Sequence, residues 1–190
     1  MTTAEQDAVA AAARGADLAA AREGTRPSPA AIWQALSHVP DPEIPVVSIV
    51  ELGIVREVTW VGERLVVRVT PTYSGCPATA LILQGIEEVV RGAGVAACDV
   101  ETALAPAWST DWIAPEAKAK LAAFGIAPPG PVARVDVAGI SPLRRAREAV
   151  ACPRCGSVHT ELVAQFGSTA CKALYRCSAC REPFDYFKPF

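Results

Sequence analysis

Two cysteine pairs with Cys-x-x-Cys spacing constrain the end of this 190-residue chain more than any other feature. Cys152 and Cys155 form the first pair, and Cys177 and Cys180 form the second. A Cys-x-x-Cys turn directs two thiolates toward one point, so two such turns predict a tetrahedral four-sulfur site. Thiolate ligands in this geometry favour zinc, with a single iron as the alternative. Since protein sulfur fills all four positions, we expect a structural ion.

The cysteine spacing also suggests how the chain is divided. Residues 151–190 predict a β-rich zinc ribbon, because about forty residues rarely fold alone without a bound metal or disulfides. Residues 29–125 predict a compact α+β domain, and residues 126–150, rich in proline and glycine and then basic, predict a linker. Residues 1–28 are rich in alanine, lack an apolar stripe and predict a disordered or frayed tail.

Apolar periodicity within residues 29–125 predicts the order α-β-β-α-β-α. Serine before proline is typical of a helix start, and glycine is typical of a helix end. The predicted elements are a helix starting at Ser28-Pro29, a hairpin over 49–69 turning at Gly62, a helix starting at Cys76, a strand over 98–104 and a helix over 115–124.

Charge and composition exclude several classes of function. Eighteen basic and twenty acidic residues give a net charge of −2, which is unlike a dedicated nucleic-acid binder. No apolar stretch is long enough to span a membrane, and the first residues lack the pattern of a signal peptide. We therefore expect a cytoplasmic protein, in which clustered cysteines bind metal rather than form disulfides.

Cys76 is a candidate for a reactive thiol. It follows Gly75 and precedes Pro77, where the amphipathic helix is predicted to begin. As the expected N-cap, its thiolate would be favoured by unpaired N–H groups and by the helix dipole. The alternative is a buried structural cysteine at a helix start.

A loop rich in proline places two carboxylates upstream of Cys76. Glu43 is the stronger candidate for a site carboxylate, and Asp41 could instead close a turn. A rigid solvated loop is the alternative reading. After the third strand, Trp108, Asp111 and Trp112 form an aromatic and acidic cluster. We expect it to pack over a domain edge or to contact a partner.

Two further donors lie within the ribbon sequence. Cys171 could displace a paired cysteine, although its spacing to Cys177 does not form a Cys-x-x-Cys turn, and a buried thiol is the simpler reading. His159 is expected to be a strand residue with a backbone partner.

The motifs resemble a known family. DPEIPVVSIVELGIVREV followed by YSGCPAT resembles the metal–sulfur cluster assembly domain over residues 29–105. PAWSTDWI, CPRCGS and FGSTACKALYRCSACREPFDYFK resemble the D subunits of phenylacetyl-CoA epoxidase systems, over residues 29–190. The resemblance implies an α+β assembly domain whose DPE loop and SGCP cysteine match Asp41, Glu43 and Cys76.

The resemblance also implies an accessory role in aerobic phenylacetate degradation. In that system a di-iron oxygenase epoxidises the ring and receives electrons from an iron–sulfur flavin reductase. A single thiol with a carboxylate suits transient handling of iron or an iron–sulfur cluster, with a second chain, another thiol or the client completing the ligands. The sequence lacks the Glu-x-x-His pairs of a di-iron site and the glycine motif of a dinucleotide site, so catalysis is expected elsewhere.

Two other interpretations stay open at this point. The chain could be an adaptor that docks oxygenase or reductase components through its ribbon and tryptophans, without transferring metal. It could also be a thiol enzyme, although the sequence places no histidine near Cys76 to activate it. The sequence leaves a homo-oligomer open as well.

Overall fold

A computed structural model describes residues 26–130 and 149–190. Most of the predicted tail and most of the predicted linker therefore lie outside the described residues. Across the described ranges, no helix combines the length and apolar character needed to cross a membrane.

The first described range has the element order that the sequence predicts, and so confirms an α+β fold. Ser28 caps the first helix by accepting a hydrogen bond from the N–H of Ala31. The elements are α1 (Pro29–Leu36), β1 (Val55–Val61), β2 (Arg64–Val69), α2 (Thr79–Gly92), β3 (Cys98–Thr102), a 3-10 turn (Thr110–Trp112), α3 (Pro115–Phe124) and β4 (Ile126–Ala127).

The predicted start of the hairpin is wrong, because the chain turns several times before the strand begins. The first strand starts at Val55 rather than near Ile49, since the preceding residues close hydrogen-bonded turns, such as Leu52 N–H to the Ser48 carbonyl at 3.0 Å. Their apolar side chains, including Ile49 and Leu52, are buried through those turns instead of through a sheet. Apolar alternation alone does not separate these two arrangements.

The first three strands form one sheet in the order β1-β2-β3. β1 and β2 pair antiparallel around Gly62, whose φ of 61° suits the tight turn, and β2 pairs parallel to β3. Leu65 and Val67 on β2 are fully buried, and they belong to the same core as Ile82 and Ile86 of α2. This core fixes the position of the loop that enters α2.

The second described range forms a β-rich ribbon whose sheet includes a strand from the first range. The ribbon strands are β5 (Thr160–Ala164), β6 (Lys172–Cys177) and β7 (Pro183–Phe187), and the sheet order is β4-β7-β6-β5. β4 directly follows α3 and pairs parallel to β7. The predicted linker therefore begins with residues that hold the ribbon against the α+β part.

Aromatic packing extends this contact. The ring of Trp108 lies 5.9 Å from that of Phe187 and 6.2 Å from that of Phe190, measured between centroids. The N–H of Thr110 donates to the carbonyl of Phe190 at 3.3 Å. Phe187 and Cys171 of the ribbon belong to the core of the α+β part. The two parts consequently share one apolar core.

Removing the central ring of this contact is expected to destabilise the protein. Trp108→Ala deletes a buried side chain and its hydrogen bond to the Leu52 carbonyl, so the free energy of unfolding should fall by about 3–5 kcal/mol. Urea unfolding of metal-loaded protein measures this change. Trp33→Ala is the control, because Trp33 is 36% exposed. Equal effects of the two substitutions would contradict the shared core.

Candidate metal centres

The four paired cysteines meet at one end of the ribbon. Cys152 Sγ lies 3.8 Å from Cys180 Sγ, and Cys155 Sγ lies 3.6 Å from Cys177 Sγ. All four sulfurs lie within 4.8 Å of one another. An ion bound tetrahedrally at about 2.3 Å from each sulfur has sulfur–sulfur edges of about 3.8 Å. The measured separations therefore fit a four-sulfur metal-binding group.

Local backbone geometry holds these thiols in place. Gly156 adopts a φ of 73° just after the first pair, and its N–H donates to the Cys152 carbonyl at 2.8 Å. In the second pair, the N–H of Cys180 lies 3.5 Å from Cys177 Sγ, and this backbone hydrogen bond lowers the pKa of the Cys177 thiol. A lowered pKa favours the thiolate, which is the form that binds metal.

A second group of donors lies where the ribbon meets the α+β part. Asp41, Glu43, Cys76 and Cys171, here called the interface cluster, line the same small cavity. The first three are the residues that the sequence singled out. They come from two loops, one carrying Asp41 and Glu43 and the other carrying Cys76, which the common core of α1 and α2 brings together.

Asp41 organises the loop that carries Glu43. One oxygen of its carboxylate, Oδ1, accepts hydrogen bonds from the N–H groups of Glu43 and Ile44, each at 2.9 Å. Burial raises the pKa of Asp41, although these two hydrogen bonds and the charge of Lys172 oppose the rise. The turn-closing role considered for Asp41 is therefore present in the structure, while the residue also lines the cavity.

Cys76 lies beside the cavity, but it is not the helix N-cap. Two successive turns precede α2, with the N–H of Cys76 donating to the Tyr73 carbonyl and the N–H of Thr79 donating to the Cys76 carbonyl. The N-cap is Ala78, which corrects the predicted helix start. Cys76 is half-buried at the end of the first turn, and the φ of 86° at Gly75 allows that turn to close.

Cys171 is the donor that sequence reasoning did not assign to this place. It is 4% exposed, and its sulfur lies 4.0 Å from Glu43 Oε2 and 3.0 Å from Thr169 Oγ1. Burial raises the pKa of the Cys171 thiol, and the nearby charges of Glu43 and Cys76 add to the rise. One clue in the sequence pointed to Cys171. It is the ribbon cysteine left over once the other four form the two Cys-x-x-Cys pairs.

Charged and polar neighbours surround the interface cluster. Burial raises the pKa of Glu43, the charge of Asp41 adds to this rise, and Lys172 opposes it. Lys172 is itself buried, with its ammonium 3.6 Å from Asp185. Burial and the adjacent Cys76 raise the pKa of Tyr73 to about 12, so its hydroxyl stays protonated and can donate a hydrogen bond.

Strand β6 separates the two groups of thiols. Cys171 directly precedes this strand, and Cys177 is its last residue. Six residues of extended chain at about 3.3 Å each span about 20 Å. Cys171 therefore belongs to the interface cluster and cannot take the place of a paired cysteine without rearrangement of the strand.

The remaining candidates lie apart from both groups. Trp108 is buried in the shared core, with its ring against those of Phe187 and Phe190. Trp112 is half-buried with the Arg56 guanidinium 3.6 Å from its ring centre, and Asp111 is exposed. His159 is exposed one residue before β5, and its carbonyl accepts from the N–H of Ser178 at 2.8 Å.

The fold and the four-thiol group define a class of protein in which an iron–sulfur cluster assembly domain precedes a zinc ribbon. Residues 29–105 match the family described as "Iron-sulfur cluster assembly protein", and residues 138–188 match the "PaaD zinc beta ribbon domain". The chain is 53% identical over 157 residues to the D subunit of the "Putative 1,2-phenylacetyl-CoA epoxidase" of Escherichia coli (strain K12). That match covers 83% of this chain and 90% of the relative. The chain belongs to this family of D subunits, as its motifs predicted.

Two solved structures are each similar to about half of this chain. A domain of unknown function from Bacillus anthracis is 31% identical with a TM-score of 0.44, and the match covers 47% of this chain and 87% of that one. A conserved hypothetical protein from Thermotoga maritima is 28% identical with a TM-score of 0.45. The match covers 50% of this chain and 95% of that one.

Two substitutions at Asp41 should separate its hydrogen bonds from its charge. Asp41→Ala leaves two N–H groups without their acceptor and should lower the free energy of unfolding by about 1–3 kcal/mol. Asp41→Asn keeps an acceptor oxygen and should cost less. Urea unfolding measures both, and equal losses would contradict the turn-closing role.

The same variants make a prediction about pH. Because burial raises the pKa of Asp41 above 3.8, the folded state holds this proton more tightly than the unfolded state. The stability that the protonated carboxyl contributes is fully present below pH 3.8. It is lost as the pH rises through the raised pKa of Asp41. Asp41→Asn should therefore lose less stability than wild type between about pH 4 and about pH 7, measured by urea unfolding.

Proposed function

We propose that this chain is a non-catalytic accessory factor that helps assemble an iron–sulfur or iron centre of a phenylacetyl-CoA epoxidase system. The observation that carries the proposal is the meeting of Cys76 and Glu43 at one cavity in an iron–sulfur cluster assembly domain. The name of the Escherichia coli relative supports the choice of system.

The chemistry of the two side chains suits temporary binding. A thiolate and a carboxylate are both iron ligands, but together they supply fewer donors than a stable iron–sulfur cluster requires. An iron or cluster held by an incomplete set of protein ligands can pass to a client that offers more of them. Cys76 is half-buried rather than fully buried, and we expect a client to reach its sulfur from the open side of the residue.

The four paired cysteines have a different role in this proposal. Cys152, Cys155, Cys177 and Cys180 would hold one structural zinc, since their spacing fits a tetrahedral ion and leaves no open position. Binding energies of about 10–16 kcal/mol for such sites in small domains would then contribute to folding of the ribbon.

The proposed partners are the di-iron oxygenase and the iron–sulfur flavin reductase of the epoxidase system.

A second candidate function, an adaptor without metal transfer, is favoured by one observation. β5 is an edge strand of the ribbon sheet, and Val163 on this strand and Phe166 just after it are 55% and 67% exposed. Edge strands with exposed apolar side chains offer a surface for another protein.

Substitution of Cys76 distinguishes the two functions. In cells that express the whole epoxidase system, Cys76→Ala should lower the iron content and the activity of the purified client component, because the transfer thiol is lost. Metal analysis of that component and an epoxidation assay measure the effect. Cys98→Ala is the matched control, since Cys98 is a half-buried thiol on β3 that lies outside the interface cluster.

The outcome depends on which function is correct. Normal client iron and activity with Cys76→Ala would exclude iron handling through this thiol. Loss of client activity after substitution of Phe166 by Ser, with normal client iron, would favour the adaptor. Zinc content of each variant reports whether the ribbon has folded.

Removal of the ribbon metal is expected to loosen the ribbon more than the α+β part. Purified wild type should contain about one zinc, and Cys152→Ser should lose it because the closed four-sulfur site needs every ligand. Amide hydrogen exchange should then become fast in β6 and β7, while α2 keeps its protection. Unchanged protection of β6 in the zinc-free variant would contradict a structural ion.

A further inference from the structure

The buried thiol of Cys171 is the feature that the proposed function does not use. The ribbon carries it into a cavity of the α+β part, where its sulfur lies 4.0 Å from Glu43 Oε2. Cys76 lines the same cavity and is close enough to contribute to the raised pKa of Cys171. Two thiols and a carboxylate from three separate segments therefore converge on one small space.

We propose that Cys76, Cys171 and Glu43 together bind a single divalent iron ion between the ribbon and the α+β part. The choice of iron rests on the proposed function, because two sulfurs and one oxygen also bind zinc or cobalt. On binding, the two thiols release their protons to solvent and the ion takes the sulfur lone pairs.

The size of the cavity favours one ion over a preformed cluster. Its volume is about 10 Å³, close to the space that one water molecule needs. A cluster of two irons and two sulfides is several times larger, so it would require the ribbon to move away. A single ion is smaller, and binding it requires side-chain shifts that bring the donor atoms of Cys76, Cys171 and Glu43 closer together.

The surroundings provide support for such an ion. Tyr73 hydrogen bonds to Cys76 and remains protonated, so it stabilises a thiolate there. The buried ammonium of Lys172 acts on Asp41 and Glu43 and offsets part of the negative charge. Three protein donors leave one tetrahedral position for a ligand from a client, in contrast to the closed four-sulfur group.

The test uses the full-length, zinc-loaded chain under anaerobic conditions, with ferrous ion as the probe. Wild type should bind about one ferrous ion in addition to zinc, and Cys76→Ser and Cys171→Ser should each weaken binding at least about tenfold, since even the loss of an outer contact can do so. Cys98→Ser should bind as wild type does. Equilibrium dialysis with separate iron and zinc analysis measures this.

X-ray absorption at the iron edge of wild type supplies a measurement that needs no variant. The zinc site does not contribute at that edge, so two sulfur neighbours per iron are expected. One sulfur neighbour, no added iron in wild type, or unchanged binding by a Cys171→Ser chain that retains zinc would overturn the site.

The two proposals can fail separately. Two sulfur neighbours at iron, together with normal client iron in cells carrying Cys76→Ala, would uphold the site and exclude the proposed function. One sulfur neighbour, together with client iron lost in Cys76→Ala, would exclude the role of Cys171 and uphold the proposed function.

Discussion

Packing of the last ribbon strand against the α+β part is the contact on which the rest of the arrangement depends. Phe187 is 1% exposed and lies against Trp108, and β7 pairs with the short strand that follows α3. Neither part closes its apolar surface alone, because the core of the first includes Phe187 and Cys171. This contact fixes the direction of β6, and the direction of β6 determines where Cys171 lies.

Strand β6 consequently connects the four-sulfur group with the interface cluster. At one end, Cys177 belongs to the four-sulfur group, whose geometry orders the ribbon. At the other end, Cys171 enters the cavity beside Glu43. A strand that pairs on both sides bends little, so ordering at Cys177 extends to Cys171. The ribbon is therefore more than an attached module, since part of the cavity wall belongs to it.

The sequence predicted the features that depend on neighbouring residues. The spacing of Cys152 and Cys155 and of the second pair sufficed for the four-sulfur group, and serine before proline sufficed for the start of α1. The place of Cys171 depends on packing between residues 128 positions apart, which no local pattern records. The same reason explains Trp108, whose burial requires the end of the chain.

The contrast between the two thiol groups is also a contrast in how firmly each can hold a metal. Four sulfurs on tight turns leave no position for exchange, so the ion there is retained with the fold. In the interface cluster, Glu43 and Cys171 lie in a partly apolar cavity, where burial raises both pKa values and favours the protonated, metal-free forms. A metal must displace those protons, which weakens its net binding. Delivery of a metal to a client requires weak binding and a free coordination position. The closed four-sulfur group instead suits an ion that stays bound.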